Sequence, residues 1–240
     1  MGAEGLGSRL GVSPVWQPRI GQLVGHGVLR PAYRLTVKGA NLVPRTGPVI
    51  LVANHTGFLD GPFVFTVSPR PVHFLVKQET FSGLFGLVLH GVGQIPVDRT
   101  VGDRTALGRA RAVLGAGGVV GLFPEGTRGR GDVSEVHQGA TWLALASGAP
   151  IVPVACLGTR YAGQGRNALP RPGSRLVAVF GEPVTLTVDR RLPGRDRLRA
   201  ATESLRVSLA NHVRTSTELA GLGLPDALRD HDHDPEPNDP

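Results

Sequence analysis

An imidazole and a carboxylate stand five positions apart in residues 52–60. Asn54 and His55 follow a short apolar run, and Asp60 comes five residues after the histidine. An imidazole titrates near neutral pH and can take a proton from an alcohol. A carboxylate on its other ring nitrogen fixes the tautomer and stabilises the imidazolium. Because a tight turn can bring the two side chains together at this spacing, we predict a general-base pair that activates a hydroxyl.

The hydroxyl to be activated can belong to a substrate. No Gly-x-Ser-x-Gly segment is present, so a serine hydrolase is not indicated. In isolation, a His and an Asp at this spacing are more often a hydrogen-bonded histidine and a helix-capping carboxylate. The catalytic interpretation therefore depends on further motifs.

Two later apolar runs also end in polar residues. The run at 95–97 is followed by Asp98 and Arg99, which form either a local ion pair or a phosphate contact at the mouth of a sheet. The run at 119–123 leads into Glu125, Gly126 and Arg128. A glycine lets backbone amides approach a ligand, and an arginine offers a bidentate fork to phosphate.

The role of the glutamate is open on the sequence alone. Glu125 is suited either to accept a hydrogen bond from a substrate hydroxyl or to hold an arginine. Without its neighbours in the chain, the segment is equally consistent with a turn that carries a Glu–Arg pair. The recurrence of polar clusters after buried runs favours the functional interpretation.

Periodicity predicts the elements that position these residues. Short apolar runs predict strands at 35–38, 49–53, 72–76, 95–97, 119–123, 151–157 and 176–180. Helical spacing predicts helices at 15–30, 61–68, 81–89, 104–115, 140–147 and 195–214. Alternating strands and helices indicate a single-domain α/β sandwich, with a mostly buried mixed sheet flanked by helices. Open α/β sheets bind ligands at the carboxyl ends of their strands, where the polar clusters fall.

The composition of the chain limits the kinds of molecule that it can be expected to bind. The 240 residues carry a net charge of +7, and because residues 226–240 carry −5, residues 1–225 carry +12. A basic body suits an anionic membrane, a phosphorylated substrate or nucleic acid. We do not expect nucleic acid, because aromatic residues do not interleave with the basic ones and no nucleic-acid-binding module is recognisable. Cys156 is the only cysteine, so no intramolecular disulfide can form.

The chain divides into four predicted regions. Residues 1–14 and the acidic tail 223–240 are expected to be disordered, and residues 35–222 form the main domain. Residues 15–34 are either an interfacial helix lying on a bilayer or a helix packed on its own domain. No run of about 18 apolar residues is present, so any membrane contact is expected to be peripheral. His231 and His233 lie in the acidic tail, where we predict no metal site.

The ordered motifs resemble those of the lysophosphatidic acid (1-acylglycerol-3-phosphate) acyltransferases. That family carries Asn-His-x4-Asp, Gly-x-Ile-x-Val-Asp-Arg, Phe-Pro-Glu-Gly-Thr-Arg and an apolar Val-Pro block. They stand here at 54–60, 93–99, 123–128 and 149–154, in the same order and at similar spacing. The resemblance covers roughly residues 35–185.

The resemblance implies a reaction and a set of roles. His55 would deprotonate the sn-2 hydroxyl of 1-acylglycerol 3-phosphate, and Asp60 would orient it. The hydroxyl would attack acyl-CoA or acyl-carrier protein directly, giving phosphatidic acid for phospholipid biosynthesis without a covalent acyl-enzyme. Four residues are implied to bind the glycerol phosphate: Arg99, Glu125, Gly126 and Arg128. Thr127 is implied to support the loop.

Asn54 and Lys77 are further candidates, the lysine as a phosphate or thioester contact in a Lys-x-Glu segment typical of the family. No cofactor is implied beyond the acyl thioester co-substrate. The expected location is peripheral, on the cytoplasmic face of a bacterial cell membrane, with contact to anionic lipid and to a carrier protein if that is the donor. Residues 136–140 depart from the Phe-Lys-x-Gly-Ala segment typical of the family. The acceptor can therefore also be another lysolipid or glycerol 3-phosphate. A non-catalytic lipid-binding role is the remaining alternative.

Overall fold

The structure is a computed structural model that describes residues 16–98, 102–187, 191 and 193–225. Four predictions fall outside these residues: those for the N-terminal segment 1–14, for Arg99, for all but the first three residues of the tail 223–240, and for His231 and His233 as residues that hold no metal. The other predicted elements lie in the described part of the chain.

The described residues form seven strands and six α-helices. The strands are β1 (Arg34–Lys38), β2 (Val49–Ala53), β3 (Val72–Lys77), β4 (Ile95–Val97), β5 (Val119–Leu122), β6 (Ile151–Leu157) and β7 (Arg175–Phe180). The helices are α1 (Trp16–Ala32), α2 (Asp60–Val67), α3 (Gly83–Gly91), α4 (Arg104–Gly115), α5 (Gly139–Ser147) and α6 (Gly194–Ala220). Each predicted strand and helix is confirmed, with shifts of one or two residues at most ends and a larger one at the end of α6.

The strands form one sheet in the order β1-β7-β6-β2-β5-β3-β4. From β6 to β4 all neighbours are parallel, whereas β7 runs antiparallel to β6 and β1 lies parallel to β7. The prediction of a mixed sheet flanked by helices is therefore correct. The parallel part brings the carboxyl ends of β2, β3, β4, β5 and β6 to one edge.

The sheet is covered on both faces, which explains its continuous apolar runs. Every residue of β2 and β6 is buried. One face packs against α4, α5 and α6 through a cluster that includes Leu114, Leu143 and Leu209. The other face packs against α1 and α2 through Leu29 and Phe63.

Helix α1 packs on its own domain, which is one of the two descriptions that the sequence left open. Its glycines allow a close crossing with α2, since a Cβ on Gly25 would lie 2.2 Å from Thr66 Oγ1. Its opposite side exposes an apolar stripe in which each side chain is more than half accessible: Trp16, Ile20, Leu23, Val24 and Val28. Among the described residues, no helix is both long and apolar enough to cross a bilayer.

Helix α6 is longer than predicted. The predicted end was residue 214, but the helix continues to Ala220 and stops at Gly221, whose φ is 62°. The buried residues Val213, Ser216 and Ala220 keep one face of the helix on the domain. The small Ser216 and Ala220 carry little hydrophobic signal in the sequence, which is why the end was placed too early.

Candidate active site

The end of β2 carries the first motif. His55 lies two residues beyond the strand, and Asp60 is the first residue of α2. The His55 Nδ1 and Asp60 Oδ2 atoms are 2.9 Å apart. Because an ionised carboxylate can only accept, Nδ1 carries the proton of this bond. Nε2 is then the ring nitrogen that can receive a proton from a substrate hydroxyl.

The Asp60 carboxylate is fully buried and held by donors on both oxygens. Its Oδ2 also accepts from the backbone N–H groups of Thr56, at 2.5 Å, and Gly57, at 2.8 Å. Its Oδ1 accepts a short hydrogen bond from Thr159 Oγ1 and a longer one, at 3.5 Å, from Cys156 Sγ. These contacts fix the carboxylate before any ligand binds.

The same contacts keep Asp60 charged. Burial on its own would raise the pKa of this carboxyl. The hydrogen bonds from His55, Thr159 and Gly57 outweigh burial and hold the pKa of Asp60 below its ordinary value. A buried anion therefore faces the imidazole and stabilises it when it becomes an imidazolium.

The imidazole is held by packing as well as by the carboxylate. The His55 ring stacks on the ring of Phe123, with centroids 4.2 Å apart and planes 22° apart. Phe123 directly follows β5, so the third motif supplies the surface on which the base rests. The His55 residue retains 9% of its accessible surface.

Glu125 joins the motif at residues 123–128 to the motif at residues 54–60 through a hydrogen bond. Its Oε1 accepts a hydrogen bond of 2.7 Å from the backbone N–H of His55, and the N–H of Val133 also donates to the carboxylate. Burial raises the pKa of Glu125 to about 7, although these two hydrogen bonds lower it. Val133, a β-branched residue, has a φ of 58°, a strained value that is typical of functional sites.

The loop that follows is built around Gly126. Its φ is 73°, and a Cβ there would lie 2.4 Å from the ring of His137, so only glycine fits without displacement. Thr127 is exposed. The Arg128 guanidinium donates to Asn167 Oδ1 and lies 5.8 Å from the centroid of the Phe58 ring. Glycine, threonine and arginine thus line the same sheet edge as His55.

The other candidates divide by position. The Asn54 side chain is buried and exchanges hydrogen bonds with the backbone of Cys156, donating over 3.2 Å and accepting over 2.7 Å. It therefore joins β2 to β6 at the site. Lys77 ends β3 on the same edge and lies 3.5 Å from Glu79, with both side chains more than half exposed. Arg99 lies outside the described residues.

Sequence reasoning missed two residues that follow β6. Thr159 donates to Asp60, and the buried Arg160 donates to the carbonyl of Gly129, over 2.8 Å, and to that of Gln164, over 3.1 Å. A usable signal existed, because both are polar residues directly after a buried apolar run, as His55 and Glu125 are. The described residues contain no group of three or more His, Cys, Asp or Glu side chains that could hold a metal ion.

The sequence of this chain is similar to those of known acyltransferases. The Acyltransferase family model matches residues 34–157, just over half of the chain. The 1-acyl-sn-glycerol-3-phosphate acyltransferase of Bacillus subtilis is 30% identical over 168 residues, covering 68% of this chain and 80% of that protein. The alpha form of the human enzyme is 33% identical over 126 residues, covering 50% of this chain and 44% of that protein.

The fold is also shared with a solved structure. The 1-acyl-sn-glycerophosphate acyltransferase PlsC of Thermotoga maritima superposes with a TM-score of 0.62 at 22% identity, covering 85% of this chain and 79% of that one. At this identity the likeness concerns the fold. The family match and the Bacillus relative show that the chain belongs to the family of the 1-acylglycerol-3-phosphate acyltransferases.

Proposed function

We propose that this enzyme transfers a fatty acyl group from an acyl thioester to the sn-2 hydroxyl of 1-acylglycerol 3-phosphate, giving phosphatidic acid. The observation that carries the proposal is the contact of 2.9 Å between His55 and the buried carboxylate of Asp60. The names of the relatives support the choice of acceptor, because each is a 1-acyl-sn-glycerol-3-phosphate acyltransferase.

The reaction needs one base and no covalent acyl-enzyme. His55 Nε2 takes the proton of the sn-2 hydroxyl as its oxygen attacks the thioester carbonyl, which forms the new C–O bond. The tetrahedral intermediate then collapses, the C–S bond breaks, and the thiolate leaves. The imidazolium returns its proton to the departing sulfur, so the enzyme ends as it began. Asp60 stabilises the imidazolium between these two steps.

Recognition of the phosphate falls to the loop after β5. Arg128 presents a guanidinium at the sheet edge and is steadied by Asn167 and the Phe58 ring. Gly126, with a φ of 73°, holds this loop in a left-handed turn. We propose that Arg128 and Gly126 bind the glycerol phosphate together with Arg99, that Glu125 keeps the strand end in place beside them, and that exposed Thr127 supports the loop. Lys77 is proposed as an outer contact for phosphate or thioester.

The first experiment measures acyl transfer from oleoyl-CoA to 1-oleoyl-glycerol 3-phosphate. Replacing the base with His55→Ala is expected to lower the rate about 10² to 10⁴-fold. The matched control is His90→Ala, which removes an exposed histidine of α3 outside the site and is expected to retain the rate. A His55→Ala protein as active as the wild type contradicts the mechanism.

The same assay separates the remaining alternatives. Replacing the acceptor with glycerol 3-phosphate or another lysolipid tests the head group, and replacing oleoyl-CoA with acyl-carrier protein tests the donor. A wild type that is active only on another acceptor contradicts the proposed substrate but leaves the role of His55 intact. A wild type that is inactive on every pair favours a non-catalytic lipid-binding role.

We also propose peripheral contact with the cytoplasmic face of the membrane through the exposed stripe of α1. A lone thiol and no disulfide fit a reducing compartment. Leu23 is 72% exposed, so Leu23→Glu is expected to weaken sedimentation with liposomes. Leu219 in α6 is 69% exposed, and Leu219→Glu is the matched control. Equal sedimentation of the two variants and the wild type contradicts the contact.

A further inference from the structure

A basic cleft lies beside α1, away from the His–Asp pair. It has a volume of about 690 Å³ and lies between α1, the turn after β1 and the segment that leads into β3. Its lining includes Arg19 and Gln22 from α1, Arg45 from the turn and Arg70 from the segment before β3. No residue that lines it is acidic.

The walls of the cleft are fixed by hydrogen bonds. The Gln22 side-chain amide donates to the carbonyls of Phe65, at 2.9 Å, Ser68, at 3.0 Å, and Arg70, at 3.1 Å. The Arg70 guanidinium donates to the carbonyls of Pro44, at 2.8 Å, and Gly117, at 2.6 Å. The three segments are thereby tied together, so the cleft is preorganised.

The charge of the cleft is uncompensated by the residues around it. No carboxylate of a described residue lies within 4.0 Å of Arg19, Arg45 or Arg70. Arg70 is occupied with the two carbonyls, whereas Arg19 and Arg45 are exposed at the rim. Three positive charges around a concave surface without an acid attract an anion, and guanidinium groups match phosphate in particular.

The cleft is separate from the proposed acceptor site. It lies where β2 and β3 begin, whereas His55 follows the end of β2. The five residues of β2, at about 3.3 Å each, put roughly 17 Å between the two edges of the sheet. An anion in the cleft is therefore not the phosphate of the molecule being acylated.

The apolar stripe of α1 borders the cleft. Arg19 precedes Gln22 by three positions and Leu23 by four, so on the helix it neighbours both the cleft and the stripe. A ligand with a phosphate between Arg19 and Arg45 can thus lay its hydrocarbon chains along Ile20 and Leu23, which are exposed. A molecule that combines these parts is an anionic phospholipid.

We propose that this cleft binds the head group of an anionic membrane phospholipid that is not a substrate, and so fixes how the enzyme sits on the bilayer. The inference rests on the peripheral contact proposed above for α1 but not on the acyl transfer. Helix α1 is 17 residues long and leads from this cleft to β1, which begins beside the loop after β6. A lipid held at the first end would leave the His55 edge accessible at the second.

The test compares binding of the full chain to two kinds of vesicle, phosphatidylcholine alone and phosphatidylcholine mixed with phosphatidylglycerol. The wild type is expected to prefer the anionic vesicles. Arg19→Ala with Arg45→Ala is expected to weaken that binding about 30-fold, from two charges near the surface. Arg109→Ala with Arg111→Ala is the matched control, since both are exposed on α4, which packs on the other face of the sheet.

A charge-preserving pair tests the cleft itself. Arg19→Lys with Arg45→Lys keeps the net charge but removes the planar forks that bind phosphate bidentately. Weakened binding of this pair supports a phosphate site. Wild-type binding of the lysine pair, or equal losses in the control pair, overturns it in favour of diffuse attraction between the basic body and the lipid.

Two further measurements distinguish a lipid head group from other sources of the phosphate. Inorganic phosphate is titrated into the protein without vesicles, against chloride at matched ionic strength. Phosphate binding that the alanine pair loses while its vesicle binding stays at the wild-type level overturns the lipid assignment in favour of a free anion. Loss of binding to acyl-carrier protein in the alanine pair, with vesicle binding retained, also overturns it. Turnover of detergent-dispersed substrate is measured in parallel, so failure of the acyl transfer is distinguished from failure of the cleft.

Discussion

The replacement Glu125→Gln gives a sharp test of the electrostatics of the site. The glutamine retains a side-chain oxygen that can accept from the backbone N–H of His55, as Oε1 does over 2.7 Å in the wild type. It has the size of a protonated glutamic acid but cannot ionise. Comparison of the two proteins therefore isolates the free energy of holding a charge at this position.

The sign follows from the direction of the pKa shift. Burial raises the pKa of Glu125 from its ordinary value of 4.5 to about 7, so the folded protein binds the proton more tightly than the unfolded chain. The stability that this proton contributes is fully present below pH 4.5 and is lost as the pH rises through 7. The full shift corresponds to roughly 3 kcal/mol, of which about 2.5 kcal/mol falls between about pH 5 and about pH 8.5.

The assay is unfolding by urea at these two pH values, followed by fluorescence. At the lower pH the wild type and Glu125→Gln are expected to have similar free energies of unfolding. At the higher pH the variant is expected to be the more stable one by about 2.5 kcal/mol, because only the wild type keeps a buried charge. Glu135→Gln, which removes a carboxyl from an exposed position, controls for net charge. The same difference in stability at both pH values refutes this account of Glu125.

Three other changes test the geometry around the pair. Thr159→Val removes a donor to Asp60 and is expected to lower kcat about 10-fold with little effect on KM; recovery in Thr159→Ser is the control, and an unchanged kcat contradicts the role. Asp60→Asn keeps an acceptor for His55 but removes the charge, so kcat is expected to fall about 10² to 10⁴-fold while circular dichroism stays the same. Gly126→Ala places a Cβ at positive φ against His137 and is expected to cost about 1–2 kcal/mol of stability in thermal unfolding; a wild-type melting temperature contradicts that strain.

The fold was predictable because a parallel sheet that is covered on both faces gives unbroken apolar runs in the sequence. Each residue of β2 and β6 is buried, so their apolar runs are unbroken and stand out from the helices. Helix α1 was harder to predict, since its glycines lower the helical propensity of the segment. The structure gives the reason: a Cβ on Gly21 would lie 2.6 Å from Val92, so the glycine serves a close contact that the local sequence does not reveal.

The contact between His55 and Asp60 was predictable for a different reason. His55 and Asp60 are five positions apart, and the turn between them is local, so the chain itself sets their distance. Glu125 was predicted either to accept a hydrogen bond from a substrate hydroxyl or to hold an arginine. It accepts from the backbone of His55, and among the described residues it forms no ion pair with an arginine. A backbone partner cannot be predicted from residue types.

The order of the strands could not be predicted from the sequence. This order decides which residues surround the carboxylate of Asp60. Thr159 and Cys156 reach this carboxylate from 99 and 96 positions away, only because β6 lies next to β2. Asn54 fastens that junction by exchanging hydrogen bonds with the backbone of Cys156. A buried carboxylate without such donors would take up a proton and could no longer stabilise an imidazolium. The pairing of β2 with β6 therefore supports the proposed role of Asp60, and changes that loosen it are expected to reduce activity before they unfold the domain.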